Sequence, residues 1–348
     1  MKFTMKDVAE RCGVSKTLVS RILNEDPALH VRTATREKVL QTVEEMGYVK
    51  NLNAQALYIA RFSEISERPT IGYVTFASYK RPGHPYFSHV IEGIVEEAAR
   101  SQLQLPFSLS VTEFQQQLPI VLQQYQEHPL DGLILLGAVN DKLRRVIPKI
   151  TRRVVSLDGQ FDRNSDYVGI DTSRSILLGL EHLLSLGYTD IGLLCGGNDK
   201  RLRACLDCLS AHGLQANPDW IINGEFVVEI AYDRVAHALT AHRPPRAIVA
   251  YNDEMAIGCI KALRKAGFRV PEDVAVTGHD DISLAAYVDV PLTTVRVDKK
   301  GIGRLAVKIL LDRIETKRKN PVLLEVPGKL IKRESCGWKK DKNQTEWP

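Results

Sequence analysis

The 348-residue sequence lacks the features that mark membrane and secreted proteins. No apolar run reaches the roughly eighteen residues that a membrane-spanning helix requires, so none is predicted. The segment from Met1 to Asp7 has no apolar core of a signal peptide, and we therefore expect a cytoplasmic protein rather than a periplasmic binding protein. Six cysteines are scattered along the chain, and in the cytoplasm we expect them to be reduced.

Signals of metal or nucleotide chemistry are also scarce. Cys205 and Cys208 form a closely spaced pair, but they lack the second pair or histidine cluster of a zinc site, so we interpret them as helix-packing residues. Gly196 and Gly197 follow an apolar run, and a lone glycine pair is weak evidence for nucleotide binding. The sequence therefore predicts no cofactor and no metal.

The sequence does contain a helical pattern at its amino terminus. Val8 and Ala9 give a first short helix an apolar edge, and Val19 and Ile22 give a second helix the same at helical spacing. Gly13 supplies the turn between them. This pattern predicts a helix-turn-helix, although a helix pair in an ordinary core would give the same pattern.

The polar face of the second helix is suited to DNA. Ser15 is placed to cap the helix by accepting a hydrogen bond from a free backbone N–H. The other side chains of this face can all donate hydrogen bonds and include no carboxylate; they are Lys16, Thr17, Ser20, Arg21 and Asn24. Base edges in the major groove of DNA offer acceptors and phosphates line its walls, so the helix fits that groove.

A third predicted helix makes the pair a compact unit. It covers residues 33–46 with Val39, Leu40 and Val43 on one side, and Gly47 ends it. Three short helices within about fifty to sixty residues have the size of a small DNA-binding module. The first 62 residues hold ten Lys or Arg and seven Asp or Glu, a modest excess that permits binding to DNA.

These residues resemble the lactose/galactose repressor family of transcriptional regulators. The matching positions are Ala9, Gly13, Val14, Ser15, Val19, Ser20, Arg21, Leu23, Asn24, Thr35, Arg36, Val39, Gly47, Tyr48, Ala54 and Leu57. The resemblance implies that Lys16, Thr17 and Arg21 read bases in the major groove. The further DNA contacts that it implies, chiefly to phosphates, come from Thr4, Ser15, Ser20, Asn24 and His30.

Residues 51–68 are predicted to form a hinge helix and linker. The helical part is too short to be stable alone, which suits a segment that folds when it docks on DNA. In the resembled family this helix pairs with that of the dimer mate in the minor groove, where a leucine wedges into the central base step. Leu57 stands at that position and Ala54 is the small residue one turn earlier. A plain linker helix is the alternative.

From Thr70 onward, short apolar runs alternate with helical stretches. The runs include residues 71–76, 133–136, 154–157, 191–195, 247–250, 274–278 and 293–297. Such alternation predicts α/β lobes with doubly wound parallel sheets, and its length exceeds one sheet unit, so two similar lobes are expected. Further family matches lie at residues 84–87, 130–134, 182–187, 252–258, 271–274, 278–281 and 291–294. The resemblance implies a two-lobed, periplasmic-binding-protein-like domain that the chain crosses three times.

The predicted boundaries follow from this division. The helix-turn-helix headpiece takes residues 1–50, the hinge 51–68, and the effector-binding and dimerisation domain 69–339. The two lobes within that domain cover about 69–169 with 298–327, and about 170–297 with 328–339. A polar tail occupies residues 340–348, and because it has no heptad leucines we expect a homodimer rather than a tetramer.

Polar residues directly after the predicted strands are the candidates for a ligand cleft, since ligands of open α/β sheets bind beyond the carboxyl ends of the strands. By this placement and by the family match, the candidates are Tyr79, Asp158, Arg203, Phe226, Asn252 and Asp280. Such groups hydrogen-bond sugar hydroxyls and cover the apolar face of a sugar ring. Asp253 and Asp281 also follow strands, and we interpret them as helix caps or structural hydrogen bonders.

The resemblance implies a repressor that a sugar, a galactoside or related glycoside, releases from a palindromic operator. Purine-responsive members of the family also use an arginine, an aspartate and an aromatic residue in the cleft, so a purine corepressor is the alternative effector. As paired carboxylates, Asp158, Asp280 and Asp281 would suit a glycoside hydrolase, but an enzyme leaves the headpiece unexplained.

Several positions depart from the family pattern. Leu18 replaces a threonine, which predicts the loss of one phosphate contact. Lys50 replaces the usual proline before the hinge, and His279 replaces the usual aromatic residue before Asp280. Within the family, Lys50 and the loop 25–29 resemble the repressor of the evolved β-galactosidase operon.

Overall fold

The structure is a computed structural model, and it describes residues 5–23, 31–46, 69–75, 85–105, 108–127, 129–137, 139–197 and 200–338. The chain divides into two compact units, Met1–Glu67 and Arg68–Pro348. All described strands belong to the second unit.

The amino-terminal unit contains three short helices. They are α1 (Met5–Cys12), α2 (Lys16–Leu23) and α3 (Thr33–Glu45). Their shared core buries Val8, Ala9, Cys12, Val19, Ile22, Val39 and Met46, which confirms the predicted apolar edges of α1 and α2. The prediction that Leu40 lies on the buried side of α3 was wrong, since Leu40 is 46% exposed. The inner face of α3 includes the buried Thr42 instead.

In the second unit, lobe 1 is organised around a six-stranded sheet. Its strands are β1 (Ile71–Thr75), β2 (Ser108–Ser110), β3 (Gly132–Leu136), β4 (Val154–Leu157), β5 (Asp166–Ile170) and β11 (Leu323–Val326). They lie in the order β11-β5-β4-β3-β1-β2, and every pair is parallel. The helices of this lobe are α4 (Pro85–Arg100), α5 (Val111–Glu127), α6 (Asp141–Val146) and α11 (Lys299–Thr316).

Alternate side chains of the sheet in lobe 1 enter two different cores. In β3, Ile134 and Leu136 pack in the core that α4 and α11 share, whereas Leu133 and Leu135 pack in the core of α5 and α6. Both faces of the sheet are therefore covered. This explains why its central strands read as continuous apolar runs in the sequence.

Lobe 2 is organised around a four-stranded parallel sheet in the order β7-β6-β8-β9. The strands are β6 (Ile191–Cys195), β7 (Ile221–Asn223), β8 (Ala247–Ala250) and β9 (Ala275–Thr277). The helices are α7 (Thr172–Ser185), α8 (Lys200–Ala211), α9 (Val228–Ala241) and α10 (Asp253–Lys265). The limits of β6 and β8 are those that the sequence predicts.

The chain crosses between the lobes three times. The first crossing leads from β5 to α7. The other two form a small antiparallel ribbon of β10 (Thr294–Arg296) and β12 (Lys329–Ile331). β10 leads from lobe 2 to α11, and β12 leads from β11 back to Cys336 in the core of lobe 2. Within the described ranges, no helix is long and apolar enough to span a membrane.

Helices α4 and α11 of lobe 1 pack with almost no space between their backbones. A Cβ atom at Gly93 would lie 2.1 Å from the carbonyl oxygen of Lys300, and one at Gly303 would lie 2.1 Å from that of Val90. Because the obstructing atoms are backbone, only glycine fits at either position. The two helices therefore form one rigid element of lobe 1.

Candidate functional site

The turn and the cap of the amino-terminal unit follow the sequence prediction. Gly13 has a φ of +68°, and its N–H and that of Val14 donate to carbonyl groups at the end of α1. The Ser15 hydroxyl accepts a hydrogen bond from the N–H of Leu18 at 3.1 Å, which confirms it as the cap of α2. Helices α1 and α2 thus form a helix-turn-helix on a shared core.

The predicted DNA-reading face of α2 is exposed at its start. Ser15, Lys16 and Thr17 are exposed, and Arg21 is partly buried one turn after Thr17. Leu18 packs against the core of the unit, so a position that holds a threonine in the family serves packing here. The other predicted DNA contacts, or their side chains, lie outside the described residues; they are Thr4, Ser20, Asn24, His30, Ala54 and Leu57.

The carboxyl ends of parallel strands form the candidate effector site of the second unit. Asp158 directly follows β4 in lobe 1, whereas Phe226, Asn252 and Asp280 come after β7, β8 and β9 in lobe 2. Three of these residues have positive φ angles, at +58° for Asp158, +57° for Phe226 and +108° for Asp280. Such backbone strain costs free energy and concentrates at functional sites. The predicted candidate Tyr79 lies outside the described residues.

The aromatic side chain of Phe226 lies against the backbone at the end of β6. A Cβ atom at Gly196 would lie 1.8 Å from the Phe226 ring, so glycine alone leaves room for that ring. The guanidinium of Arg201 lies over the same ring, 4.6 Å from its centroid, and over the Tyr251 ring at 5.3 Å. Cation–π attraction favours this position of the arginine.

Arg201, rather than the predicted Arg203, is therefore the arginine at the aromatic pair. The Arg203 side chain is 84% exposed and forms an ion pair with Asp207 at 3.8 Å along the same helix. Helix α8 begins at Lys200, three residues before the predicted start at Arg203. Since successive helical residues are rotated by about 100°, side chains two positions apart point in nearly opposite directions.

Two tyrosines of lobe 1 lie near the candidate residues and were not among the sequence candidates. Burial raises the pKa of Tyr86 well above its usual value; the charges of Asp158 and Asp280 raise it further, and Arg201 lowers it. Charged residues of both lobes therefore affect the pKa of the same tyrosine hydroxyl. Burial, with a contribution from Asp158, also raises the pKa of Tyr167 to about 12. Both phenols are thus neutral at physiological pH. The sequence signal for Tyr86 is its place in the family-like segment 84–87.

The side-chain amide of Asn252 forms two structural hydrogen bonds. Its Oδ1 accepts a hydrogen bond from the N–H of Met255 at 2.9 Å, which caps α10. Its Nδ2 donates to the carbonyl of Phe226 at 3.4 Å. The amide therefore holds the start of α10 against the backbone of Phe226.

Asp253 is a structural hydrogen bonder, as the sequence predicts. The buried carboxyl accepts from the Thr294 hydroxyl at 2.5 Å and from the N–H of Ile282 at 2.8 Å. Burial and the charge of Asp280 raise its pKa well above the usual value, against the opposing effect of these hydrogen bonds. This carboxyl joins α10 to the crossing segment.

Asp281 is structural as well. Its carboxylate accepts hydrogen bonds from Arg296 at 2.6 Å and from Arg333 at 2.7 Å. Burial raises its pKa, but these hydrogen bonds outweigh burial, and the pKa of Asp281 lies below the ordinary value. A carboxylate engaged by two arginines is poorly suited to the second acid of a glycoside hydrolase.

Metal chemistry has no support among the described residues. Within those ranges, no group of three or more His, Cys, Asp or Glu residues is placed to hold a metal ion. Cys205 is fully buried in the core of lobe 2 and Cys208 is half-buried on the same helix. The interpretation of Cys205 as a helix-packing residue is confirmed.

Two family models match the chain. The model described as bacterial regulatory proteins, lacI family, matches residues 4–51, and that of a periplasmic binding protein-like domain matches residues 180–336. The HTH-type transcriptional repressor MelR of Bacillus subtilis (strain 168) is 32% identical over 351 residues, which covers 96% of this chain and 97% of MelR. The HTH-type transcriptional repressor PurR of Aliivibrio salmonicida (strain LFI1238) is 31% identical over 340 residues, which covers 95% of this chain and 98% of PurR.

Solved structures give the same relation. A complex of the transcriptional regulator CelR with cellobiose has a TM-score of 0.67 at 25% identity and covers 96% of this chain and 100% of the CelR chain. A lac repressor dimer bound to operator and the anti-inducer ONPF has a TM-score of 0.67 at 26% identity and covers 97% of this chain and 99% of its own.

The chain belongs to the LacI family of bacterial regulatory proteins. It is a DNA-binding transcriptional repressor with a helix-turn-helix headpiece and a two-lobed periplasmic-binding-protein-like domain, and it is not an enzyme.

Arg21→Ala is expected to weaken operator binding by roughly 1–3 kcal/mol per half-site and to relax specificity at one base, because base-edge hydrogen bonds are lost. The operator for this test is selected from a randomised DNA pool with the parent protein. Fluorescence anisotropy then measures the operator affinity of each variant. Arg11→Ala, at an exposed arginine near the end of α1, is the matched control and is expected to have little effect on specificity. Unchanged affinity of the Arg21 variant would remove this residue from the DNA interface.

Arg201→Ala is expected to weaken binding of a small effector in the cleft by about tenfold or more, because a charged hydrogen-bond donor is lost at the aromatic pair. Arg203→Ala, on the same helix but exposed, is expected to leave the affinity nearly unchanged. Calorimetric titration with the compound that most raises the melting temperature of the parent protein measures both. A larger loss at Arg203 than at Arg201 would restore the prediction made from sequence.

Proposed function

We propose that a sugar, a galactoside or related glycoside, binds between the two lobes and releases the repressor from a palindromic operator. The observation that carries the proposal is the combination of groups at one edge of the cleft. Asp158 and Asp280 offer carboxylate acceptors for the hydroxyl groups of a sugar, Tyr86 offers a neutral phenol as a donor, and Phe226 offers an aromatic surface for the apolar face of a sugar ring.

The carboxylates favour a sugar over a purine. A sugar presents many hydroxyl donors that suit two carboxylate acceptors, whereas a purine presents few donors and relies on flat aromatic contacts. CelR, a similar protein, is solved with cellobiose, while PurR is among the similar repressors, so a purine corepressor remains the second candidate.

Contacts across the cleft support a closing motion of the lobes. Lys200 at the start of α8 in lobe 2 forms an ion pair at 3.7 Å with Glu325 of β11 in lobe 1. Both side chains are about half exposed, so the pair contributes little free energy and opens readily. A ligand that forms hydrogen bonds with both lobes would stabilise the closed form more than this weak ion pair does. We infer that the bound sugar sets the balance between the open and closed forms.

A homodimer fits the exposed surface of lobe 2. Leu284 and Tyr287 are 53% and 85% exposed at a short helix, Ser283–Ala286, and its end. Large apolar side chains exposed together mark interaction surfaces, and a second copy of the chain is the partner that we propose. Two copies would bring two headpieces to the two half-sites of a palindrome.

The remaining predictions about DNA concern residues outside the described ranges. We propose that Ala54 and Leu57 bind the minor groove, with Leu57 as the wedge. The narrower similarity to the repressor of the evolved β-galactosidase operon, based on Lys50 and the loop 25–29, is likewise a prediction. Because a bacterial repressor acts on chromosomal DNA, we place its action in the cytoplasm.

A thermal-shift screen with methyl galactosides, lactose, cellobiose, hypoxanthine and guanine tests the proposal. A compound bound by the folded state alone stabilises it by about 2.7 kcal/mol at a hundred times its dissociation constant, so the effector is expected to raise the melting temperature. Asp280→Ala is expected to abolish the shift and spare operator binding, since it removes a cleft acceptor. Stabilisation by a purine and by no sugar would replace the inducer with a corepressor.

A further inference from the structure

Asp280 has a backbone conformation that the chain must hold in place. Its φ of +108° lies outside the regions that residues with a Cβ atom adopt easily, and Asp281 follows at +49°. Two successive positive φ angles at residues other than glycine cost free energy, so neighbouring contacts must compensate. The Asp280 N–H donates to the carbonyl of Val295 at 2.9 Å, which fixes one side of this peptide.

The carbonyl side is held by a buried ammonium group. Lys299 is 7% exposed, and its Nζ donates to the carbonyl of Asp280 and, at 3.3 Å, to that of Asp281. Lys299 is the first residue of α11, which belongs to lobe 1. A positive charge at a helix amino terminus is unfavourable with the helix dipole, so the helix itself gains nothing from a lysine there.

The start of α11 is secured without Lys299. The carboxylate of Asp298 accepts a hydrogen bond from the N–H of Gly301 at 2.8 Å, which caps the helix. The next residue, Lys300, is directed to the surface and pairs with Glu92. Lys299 alone turns inward to the strained loop.

The carboxylate of Asp280 is held by the residue before it. His279 is 2% exposed, and its Nδ1 lies 3.0 Å from Asp280 Oδ1. A neutral imidazole with its proton on Nδ1 donates to that oxygen and leaves Nε2 as an acceptor. Among the residues that the structure describes, none forms a hydrogen bond with His279 Nε2. Within the described ranges, no hydrogen bond at Nε2 therefore competes with the one between Nδ1 and Asp280 in orienting the ring.

We propose that Lys299 and His279 are positioning residues that together fix the direction of the Asp280 carboxylate toward the effector. The two residues and Asp280 are named the Asp280 clamp. Lys299 holds the backbone of Asp280 from lobe 1, and His279 orients its side chain from lobe 2. The inference rests on the proposed role of Asp280 in the cleft, and it assigns to His279 a reason for replacing the family's aromatic residue.

The test uses the full-length protein and the sugar that gives the largest thermal shift among methyl galactosides, lactose and cellobiose. Lys299→Met and His279→Phe are each expected to weaken sugar binding by about tenfold, while Lys300→Met, one residue away, leaves it within about twofold. In an Asp280→Asn background, Lys299→Met is expected to add little further loss, because the lysine acts through Asp280. Purely structural damage would instead lower the affinity equally in both backgrounds.

A second measurement reads the clamp without a ligand. In protein labelled with 15N-histidine, the Nδ1 resonance of His279 reports its hydrogen bond to Asp280. Lys299→Met and Asp280→Asn are expected to move this resonance toward that of an unbonded ring, and Lys300→Met is expected to leave it in place. If the resonance responds as expected and no sugar binds the parent protein, the proposed effector fails while the clamp stands. If a sugar binds and neither its affinity nor the resonance responds to Lys299→Met, the clamp is overturned.

Discussion

Parallel strand pairing is the constraint on which the functional site of this repressor depends. In each lobe the sheet is parallel, so all carboxyl ends of the strands meet at one edge. That geometry brings residues distant in sequence, such as Asp158 and Asp280, close enough for both to act on the Tyr86 hydroxyl. Neither lobe contains the whole site. A ligand bound at the proposed site would contact both lobes, and its binding would then depend on their relative position.

The free-energy cost of the site is concentrated at the same edge. Asp253 is buried with a raised pKa, Asp280 has a strained φ, and the buried ammonium group of Lys299 donates to the backbone carbonyls of Asp280 and Asp281. Buried charges of this kind seldom increase stability relative to apolar packing. The core compensates elsewhere, as in the glycine-mediated contact of α4 with α11. That contact also makes one rigid element of the two helices that carry Tyr86 and Lys299.

Features that depend on a few neighbouring residues were predicted from the sequence better than features that depend on contacts between distant residues. The limits of β4, β6 and β8, the turn at Gly13 and the cap at Ser15 follow from apolar runs and from hydrogen-bonding chemistry within a few residues. The predicted cleft arginine, Arg203, is two positions from Arg201 on α8, and side chains two positions apart on a helix point in nearly opposite directions. The sequence pattern does not decide which of the two arginines faces Phe226. Tyr86 and Lys299 were missed because their importance arises only when lobe 1 folds against the loop at Asp280.

We propose that one cleft couples sugar binding to DNA binding, and the most direct test of this coupling is its reciprocity. Sugar affinity is measured by calorimetry with and without the selected operator, and operator affinity is measured with and without saturating sugar. Coupling between two binding sites must be equal in both directions, and about 5- to 150-fold is typical. We predict that the operator weakens sugar binding by the same factor by which the sugar weakens operator binding. Sugar binding that is unaffected by operator, or a purine that tightens operator binding while no sugar loosens it, would contradict the account.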